Sequence, residues 1–158
     1  MVKLLFVLMN EYRLWALPQA LAALERRYPG AVEGRVYSVR EINADAGLER
    51  ALLADGAAAD MAFLASHGSI QNLYCFSRLW EALEGRPVYF TSTMGDELAE
   101  LLPRLGLEPA LYAALDSYYQ AGSPGDLEGL VLCAGSYDIR DAYDAARRAL
   151  NTGADFTA

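Results

Sequence analysis

The sequence predicts an α/β fold built on a parallel sheet of about four strands. Short apolar runs recur between residues 3 and 91, stretches with helical spacing separate them, and Pro or Gly ends most of these stretches. Strands and helices that alternate in this way need right-handed crossovers, which place helices on both faces of a parallel sheet. The chain has 158 residues, which suits one domain with a core of its own.

Four apolar segments are expected to form the strands. Segment 3–9 (KLLFVLM) is continuously apolar, as in a strand that is covered on both faces. Segment 35–39 (RVYSV) is more polar, so we expect it nearer a sheet edge. The other two strands are predicted at 59–65 and 87–91, with Pro87 tolerated at the first position of its strand.

Helical spacing fills the intervals between these strands. Pro18 is tolerated only in a first turn, so the first regular helix is predicted to start near Leu17. A short helix is expected at 48–54. Another helix is predicted to follow Gly68 directly, to extend through Leu83 and to be capped by Gly85.

The rest of the chain is predicted to be helical. Thr93, with Asp96 three residues later, is expected to cap a helix that Pro103 and Gly106 end. Beyond Glu108 the pattern predicts helical pieces near 109–121, 126–134 and 137–150.

The simplest sheet for this order of elements is Rossmann-like or flavodoxin-like, with strand order 2-1-3-4. We expect a parallel α/β domain over 1–107 and a C-terminal helical extension packed on it over 108–150. Residues 151–158 are expected to begin a truncated linker.

Composition excludes several classes of function. The formal charge of −8, without a Lys/Arg cluster, disfavours nucleic acids and anionic membranes as partners. No apolar run approaches the roughly 18 residues that span a bilayer, and the N-terminal run lacks a cleavage site, so we expect a cytoplasmic protein. Cys75 and Cys133 are predicted to be small buried hydrophobes, because a lone histidine and two separated cysteines make a poor zinc site.

Candidate contact residues lie where the predicted strands end, since ligands of open parallel sheets bind beyond the carboxyl ends of the strands. The helix after Gly68 is expected to point backbone N–H groups at a carboxylate or phosphate, and Arg13 could bind the same anion. The candidates for substrate or partner contact are Asn10, Glu11 and Arg13 after strand one, His67, Gly68 and Ser69 after strand three, and Thr93 after strand four.

Each candidate also has a structural interpretation. Ser66 and Ser69 could serve only as caps, and Glu11 and Arg13 could be a solvated ion pair of little energetic value. His67 could be structural, could contact a substrate or partner, or could bind a metal. The tyrosines at 112, 118 and 119 fit packing better than a cofactor site.

Several catalytic signatures are absent from the sequence. It contains no G-x-x-x-x-G-K-[ST] phosphate loop and no G-x-S-x-G motif, and the first predicted βα turn, MNEYRLW, has no glycine for binding a dinucleotide. We therefore predict no catalytic residue and no metal ligand in this chain.

Two stretches carry a resemblance to a known family: ADMAFLASHGSIQNLYCFSRLWEAL (59–83) and YYQAGSPGDLEGLVLCAGSYD (118–138). They resemble the N-terminal region of the large subunit of aerobic cobaltochelatase (the CobN type), which is related to the H subunit of magnesium chelatase. The turn in the second stretch has Ser123 where the family has glycine, and Asp126 where it has asparagine. Both replacements preserve turn and N-cap chemistry.

The resemblance implies a head domain that supports ATP-dependent metal insertion into a tetrapyrrole without performing it. The implied partners are the remainder of the large subunit, AAA+ motor subunits and the tetrapyrrole. This segment would bind no cofactor, whereas the full complex would use ATP, Mg²⁺ and the inserted Co²⁺ or Mg²⁺. Two alternatives stay open, namely a minimal chelatase that depends on His67 and a stand-alone flavodoxin-like ligand-binding domain.

Overall fold

The computed structural model describes residues 1–9 and 11–138. The candidate Asn10, nearly all of the predicted helix 137–150 and the predicted linker 151–158 lie outside the described residues. Among the helices of the described part, none combines the length and the apolar character that crossing a bilayer requires.

One parallel sheet forms the centre of the described chain, with the strand order β2-β1-β3-β4. Its members are β1 (Val2–Leu8), β2 (Val32–Ser38), β3 (Met61–Ser66) and β4 (Val88–Ser92). The structure thus confirms the predicted α/β fold and strand order, and it places the more polar β2 at an edge. In the register, Phe6 of β1 lies between Val36 of β2 and Phe63 of β3.

Helices cover both faces of this sheet, which explains the apolar sequences of the central strands. Every residue of β3 is buried, and in β1 only Lys3 is exposed. The described helices are α1 (Arg13–Arg27), α2 (Val39–Ala44), α3 (Ala46–Ala58), α4 (Phe76–Ala82), α5 (Gly95–Leu101), α6 (Pro109–Ala121) and α7 (Pro124–Asp138), with 3₁₀ turns at Ile70–Asn72 and Leu102–Arg104.

The first face of the sheet is packed by α1, α6 and α7. Alternate residues of β1 and β3 point into this layer, where the rings of Phe6 and Phe63 stack with centroids 4.6 Å apart. Tyr89 of β4 extends the aromatic cluster to Tyr112 and Tyr119 of α6, at 5.3 and 5.6 Å. The packing role predicted for these two tyrosines of α6 is therefore confirmed.

The second face is packed by α2, α3, α4 and α5. Leu5 and Val7 of β1 and Leu64 of β3 point into this layer. Cys75 lies in the same layer, and Cys133 lies in the opposite one. Both cysteines are buried, as predicted, and burial raises the pKa of each thiol.

The predicted start of the first helix is wrong. α1 begins at Arg13, so Pro18 lies inside the helix and not in its first turn. The preceding turn is formed by the bonds from Trp15 N and Ala16 N to the Tyr12 carbonyl, at 3.0 and 3.1 Å. Contacts of Tyr12 and Arg13 with α6, described below, stabilise this turn, and tertiary contacts of this kind outweigh one missing proline hydrogen bond.

The helix predicted directly after Gly68 is also wrong. The chain instead forms the 3₁₀ turn Ile70–Asn72, and α4 begins only at Phe76. Side chains from other elements hold this segment, since the Tyr74 amide donates to Asn43 Oδ1 at 3.1 Å and Asn43 Nδ2 donates to the Asn72 carbonyl at 2.7 Å. Asn43 belongs to α2, a helix that the sequence reading missed.

Two further boundaries differ from the prediction. α5 has Met94 at its N-cap, without a side-chain cap, so Thr93 does not cap this helix. α7 runs without a break across residues 134–137, where the sequence predicted a gap between two helical pieces.

The turn between α6 and α7 has the predicted capping chemistry. Ser123 Oγ accepts a hydrogen bond from the Asp126 amide at 3.1 Å, and Asp126 Oδ2 accepts one from the Ser123 amide at 3.2 Å. This reciprocal pair is a capping box in which aspartate takes the usual place of glutamate. Gly122 precedes it at a φ of 68°, a left-handed conformation that suits glycine at a helix C-terminus.

Candidate functional site

A cleft of ≈ 440 Å³ opens at the carboxyl edge of the sheet. The loops after β1, β3 and β4 form its walls, and the end of α6 closes one side. The strand order reverses between β1 and β3, so the cleft lies at the topological switch point where ligands of open α/β sheets bind. Of the predicted contact residues, Glu11, Arg13, His67 and Thr93 line the cleft.

Arg13 attaches the end of α6 to the first loop. Its Nε donates to the Tyr119 carbonyl at 2.9 Å, and its Nη2 donates to the Gln120 carbonyl at 3.3 Å. Its Nη1 binds Glu11 Oε2 at 2.9 Å, and its side chain is only 13% exposed. The guanidinium thus neutralises carbonyls at the negative end of a helix dipole. Its hydrogen-bonding groups are already engaged within the chain, so it is neither the open anion fork nor the solvated pair considered from the sequence.

Glu11 and Tyr119 form the second half of this contact. The Tyr119 hydroxyl donates to Glu11 Oε1 at 2.9 Å, and the Arg13 guanidinium carbon lies 4.4 Å from the Tyr119 ring centroid. Burial, and then the Glu11 carboxylate, raise the pKa of Tyr119 well above its ordinary value of about 10. Tyr119 therefore stays a neutral donor at physiological pH and is unsuited to act as a base.

The Gly68 peptide joins the loops after β3 and β4. Its N–H donates to Thr93 Oγ1 at 2.7 Å, and its carbonyl accepts from Ser66 Oγ at 2.6 Å and Ser92 Oγ at 3.2 Å. Gly68 has a φ of 87°, which explains why glycine occupies this position. Thr93 thus contributes a loop contact in place of the helix cap predicted from the sequence.

Glu97 of α5 occupies the place where the sequence predicted an external anion. Its Oε1 accepts a hydrogen bond from the Ile70 amide at 2.7 Å, and its Oε2 accepts one from Ser69 Oγ at 2.9 Å. The Gln71 amide donates to Ser69 Oγ at 3.1 Å, so Ser69 does act as the predicted cap, although of a 3₁₀ turn. An internal carboxylate therefore occupies the Ile70 amide and the Ser69 hydroxyl, at the place where the sequence predicted an external carboxylate or phosphate.

His67 is the candidate most available for contact with another molecule. Its side chain is exposed at the cleft, and within residues 1–9 and 11–138 it has no hydrogen-bond or ion-pair partner. The same residues include no group of three or more His, Cys, Asp or Glu side chains that could hold a metal ion. His67 can thus donate or accept one hydrogen bond to a bound molecule.

A second cleft, of ≈ 470 Å³, adjoins the first and shares Met9 with it. Arg40, Asn43 and Tyr74 contribute to its lining, and Tyr74 is 79% exposed. The sequence reading missed this cleft, because it assigned Tyr74 to a continuous helix and did not predict α2. It also missed Glu97 and Gln120, which carry no local signal and reach the site only through the packing of α5 and α6.

The polar groups of the site fall into those bound within the chain and those left exposed. Most of its polar groups hold loops and a helix end together, and its charged pair, Glu11 and Arg13, is internally compensated. The exposed imidazole of His67 remains for a ligand or a neighbouring domain. In comparisons with known proteins, the chain matches no protein-family model and no curated sequence.

Proposed function

We propose that this chain is a non-catalytic head domain of a cobaltochelatase-type or magnesium-chelatase-type large subunit. It would contact the body of that subunit or the tetrapyrrole through the carboxyl-edge cleft. Metal insertion and ATP hydrolysis would take place on other parts of the assembly. The proposal includes a cytoplasmic location, where ATP is available to the AAA+ motor subunits.

The proposal rests on the fact that two stretches far apart in the sequence line the same cleft. Segments 59–83 and 118–138 bear the resemblance to the chelatase family, and both line the same cleft, through His67 on one side and Tyr119 and Gln120 on the other. Both stretches that bear the resemblance thus contribute to the surface through which a head domain would meet its partner.

The internal saturation of the cleft supports a non-catalytic role. Proton transfer or metal insertion needs several positioned polar groups that are free to react with a substrate. Here Glu11, Arg13 and Glu97 are each bound to other parts of the chain. His67 alone can contact a tetrapyrrole or a domain surface, although it cannot supply a set of metal ligands.

The test combines binding with metal insertion. We expect a cobalt-free corrin or a porphyrin, or a cobaltochelatase large subunit that lacks its N-terminal region, to bind this chain. We also expect the binding to weaken in His67→Ala. Absorption spectroscopy would follow the tetrapyrrole, and co-sedimentation would follow the subunit. The proposal would be refuted if the chain bound neither the tetrapyrrole nor the truncated large subunit.

The insertion assay separates the proposal from the minimal-chelatase alternative. Cobalt insertion by the chain alone is expected to be absent, whereas insertion that disappears in His67→Ala would establish that alternative. Since His67 is exposed and has no partner among the described residues, its replacement should change the free energy of unfolding by less than about 0.5 kcal/mol. A loss of binding would then report contact and not unfolding.

A stand-alone ligand-binding domain is the second candidate, favoured by the position of the ≈ 440 Å³ cleft at the switch point. Titration with flavins and nucleotides, followed by fluorescence, tests it. Phosphate-bearing ligands face a specific difficulty, because the Gly68 and Ile70 amides already donate to Thr93 and Glu97. Saturable binding would favour this candidate over the head domain.

A further inference from the structure

The outer edge of β2 is not paired with any strand of the described residues. Among the described residues, β2 pairs only with β1, and no other strand bonds the backbone of its opposite side. None of its seven residues is fully buried. An unpaired strand edge presents N–H and C=O groups that can pair with a strand of another chain.

The direction of these groups follows from one hydrogen bond to β1. The Val2 amide donates to the Ala31 carbonyl at 3.0 Å, so the Ala31 carbonyl faces β1. Main-chain groups alternate in direction along a strand. Val32, Gly34 and Val36 therefore present their N–H and C=O groups outward.

The sequence of this edge is complementary to itself. It reads Val-Glu-Gly-Arg-Val over residues 32–36, with an acidic and a basic residue placed symmetrically about Gly34. In an antiparallel pair centred on Gly34, Glu33 lies opposite Arg35 of a second copy, and Val32 lies opposite Val36 of that copy. Centring on Gly34 also pairs outward-facing groups with outward-facing groups.

The charges of the two copies would form a closed ring. Within one chain, Arg35 Nη2 already binds Glu33 Oε1 at 2.8 Å. Pairing about Gly34 adds two cross-strand contacts of opposite charge, so that four charges alternate around the axis. Opposite charges directly across a strand pair stabilise it, whereas like charges destabilise it.

Helix α1 provides apolar surface beside this edge. Leu21 of this helix packs on Gly34 of β2, since a Cβ atom at Gly34 would be 2.5 Å from Leu21 Cδ1. One flank of α1 faces α7, where Arg27 binds Glu128 at 2.9 Å. Since successive residues of a helix are 100° apart, Leu14, Pro18 and Leu21 lie on the opposite flank. These apolar residues are half-buried or exposed. This flank would meet the same flank of a second copy and extend the contact beyond the strands.

We propose that β2 pairs antiparallel with β2 of a second copy of this chain, about a twofold axis at Gly34. The two sheets then join into one continuous sheet of twice the width, with an isologous interface in which the same surface serves both copies. The inference is independent of the proposed head-domain function. β2 and β4 form opposite edges of the sheet, and no residue of β2 lines the cleft.

Charge variants test the pairing and its register together. Sedimentation equilibrium should give twice the 17.2 kDa chain mass for the natural sequence. Glu33→Arg places Arg opposite Arg, and Arg35→Glu places Glu opposite Glu, twice in each dimer. Each variant should therefore raise the dimer Kd by roughly tenfold or more. Glu100→Arg, which makes the same charge change as Glu33→Arg at an exposed position of α5, should leave Kd unchanged.

Mixing provides the decisive control against misfolding. In an equimolar mixture of the two single variants, each Arg of one chain faces a Glu of the other, so a heterodimer should form. The double variant E33R/R35E should dimerise like the natural sequence. A monomeric natural sequence, a dimer insensitive to both single changes, or a mixture that stays monomeric would each overturn the proposal.

Discussion

Glu97 Oε1 accepts a hydrogen bond from the Ile70 amide at 2.7 Å, which links α5 to the loop after β3. The second carboxylate oxygen accepts from the Ser69 hydroxyl at 2.9 Å. The Glu97 carboxylate thus occupies the place where the sequence suggests an anion site.

Replacement of Glu97 should release this loop. Glu97→Ala is expected to lower the free energy of unfolding by about 1–3 kcal/mol, because it leaves partly buried donors unsatisfied. Glu100→Ala, on the exposed side of the same helix, should change it by less than about 0.5 kcal/mol. Urea unfolding measures both.

The same variant should create an anion site. Inorganic phosphate is expected to stabilise Glu97→Ala in a concentration-dependent manner and to have little effect on the natural sequence, since ligand binding to the folded state adds stability. Equal effects of phosphate on the two proteins would show that Glu97 does not occupy an anion site.

Arg13 should hold α6 through the geometry of its guanidinium. Arg13→Ala is expected to lower the free energy of unfolding by about 2–3 kcal/mol, and Arg13→Lys should recover little, because one ammonium cannot reach three acceptors in a plane. Hydrogen exchange of the α6 amides should accelerate in both variants. Arg26→Ala, at an exposed position on the same helix, is the control. An equal acceleration of α6 exchange in Arg26→Ala would contradict the role of Arg13.

Gly122 and Gly30 offer a matched pair of glycines. Both have positive φ, 68° and 75°, but a Cβ at Gly30 meets nothing within 4 Å, whereas one at Gly122 would be 2.0 Å from Tyr12 Oη. Gly30→Ala should cost about 1–2 kcal/mol of unfolding free energy, from backbone strain alone. Gly122→Ala should cost at least about 1 kcal/mol more, through loss of the hydrogen bond from the Tyr12 hydroxyl to its carbonyl.

A double-mutant cycle tests the cause of that difference. Tyr12→Phe should destabilise the natural sequence by removing the hydrogen bond, yet it should be neutral or stabilising in the Gly122→Ala background, where the hydroxyl is in the way. Additive effects of the two changes would show that the clash is not the source of the cost.

Stability should fall at alkaline pH because of the buried tyrosines. Burial, followed by the effect of neighbouring carboxylates, raises the pKa of Tyr37 and Tyr112 to about 12 and that of Tyr119 higher still. In the unfolded chain tyrosines ionise near pH 10, so above that pH the unfolded state releases protons that the folded state retains. The contribution of Tyr37 and Tyr112 is complete below about pH 10 and is lost as the pH rises to about 12.

Urea midpoints measured between about pH 9 and pH 11 would show this loss. Tyr119→Phe should make the decline shallower, whereas Tyr74→Phe, which changes a side chain that is 79% exposed, should not. If the urea midpoint fell with pH as steeply in Tyr119→Phe as in the natural sequence, the loss of stability could not be assigned to Tyr119.

Much of the fold could be predicted from local patterns. Continuous apolar runs identified β1 and β3, and the more polar β2 was correctly expected at an edge. Turn and N-cap chemistry was also expected at Ser123 and Asp126, and the structure forms it as a capping box between groups only three residues apart. The first turn of α1 and the start of α4 could not be predicted, because contacts with residues far along the chain determine them.

The sequence by itself determined the α/β class, the strand order and the group of loops that meet at the carboxyl edge, since hydrophobic periodicity and crossover handedness leave few other arrangements. Only the tertiary structure decided what those loops do. It brought Tyr119 to Glu11 and Glu97 to Ile70, across 108 and 27 residues of sequence. The hydrogen bonds formed there satisfy the groups that the sequence had left for a ligand, and such long-range pairing leaves no trace in local spacing.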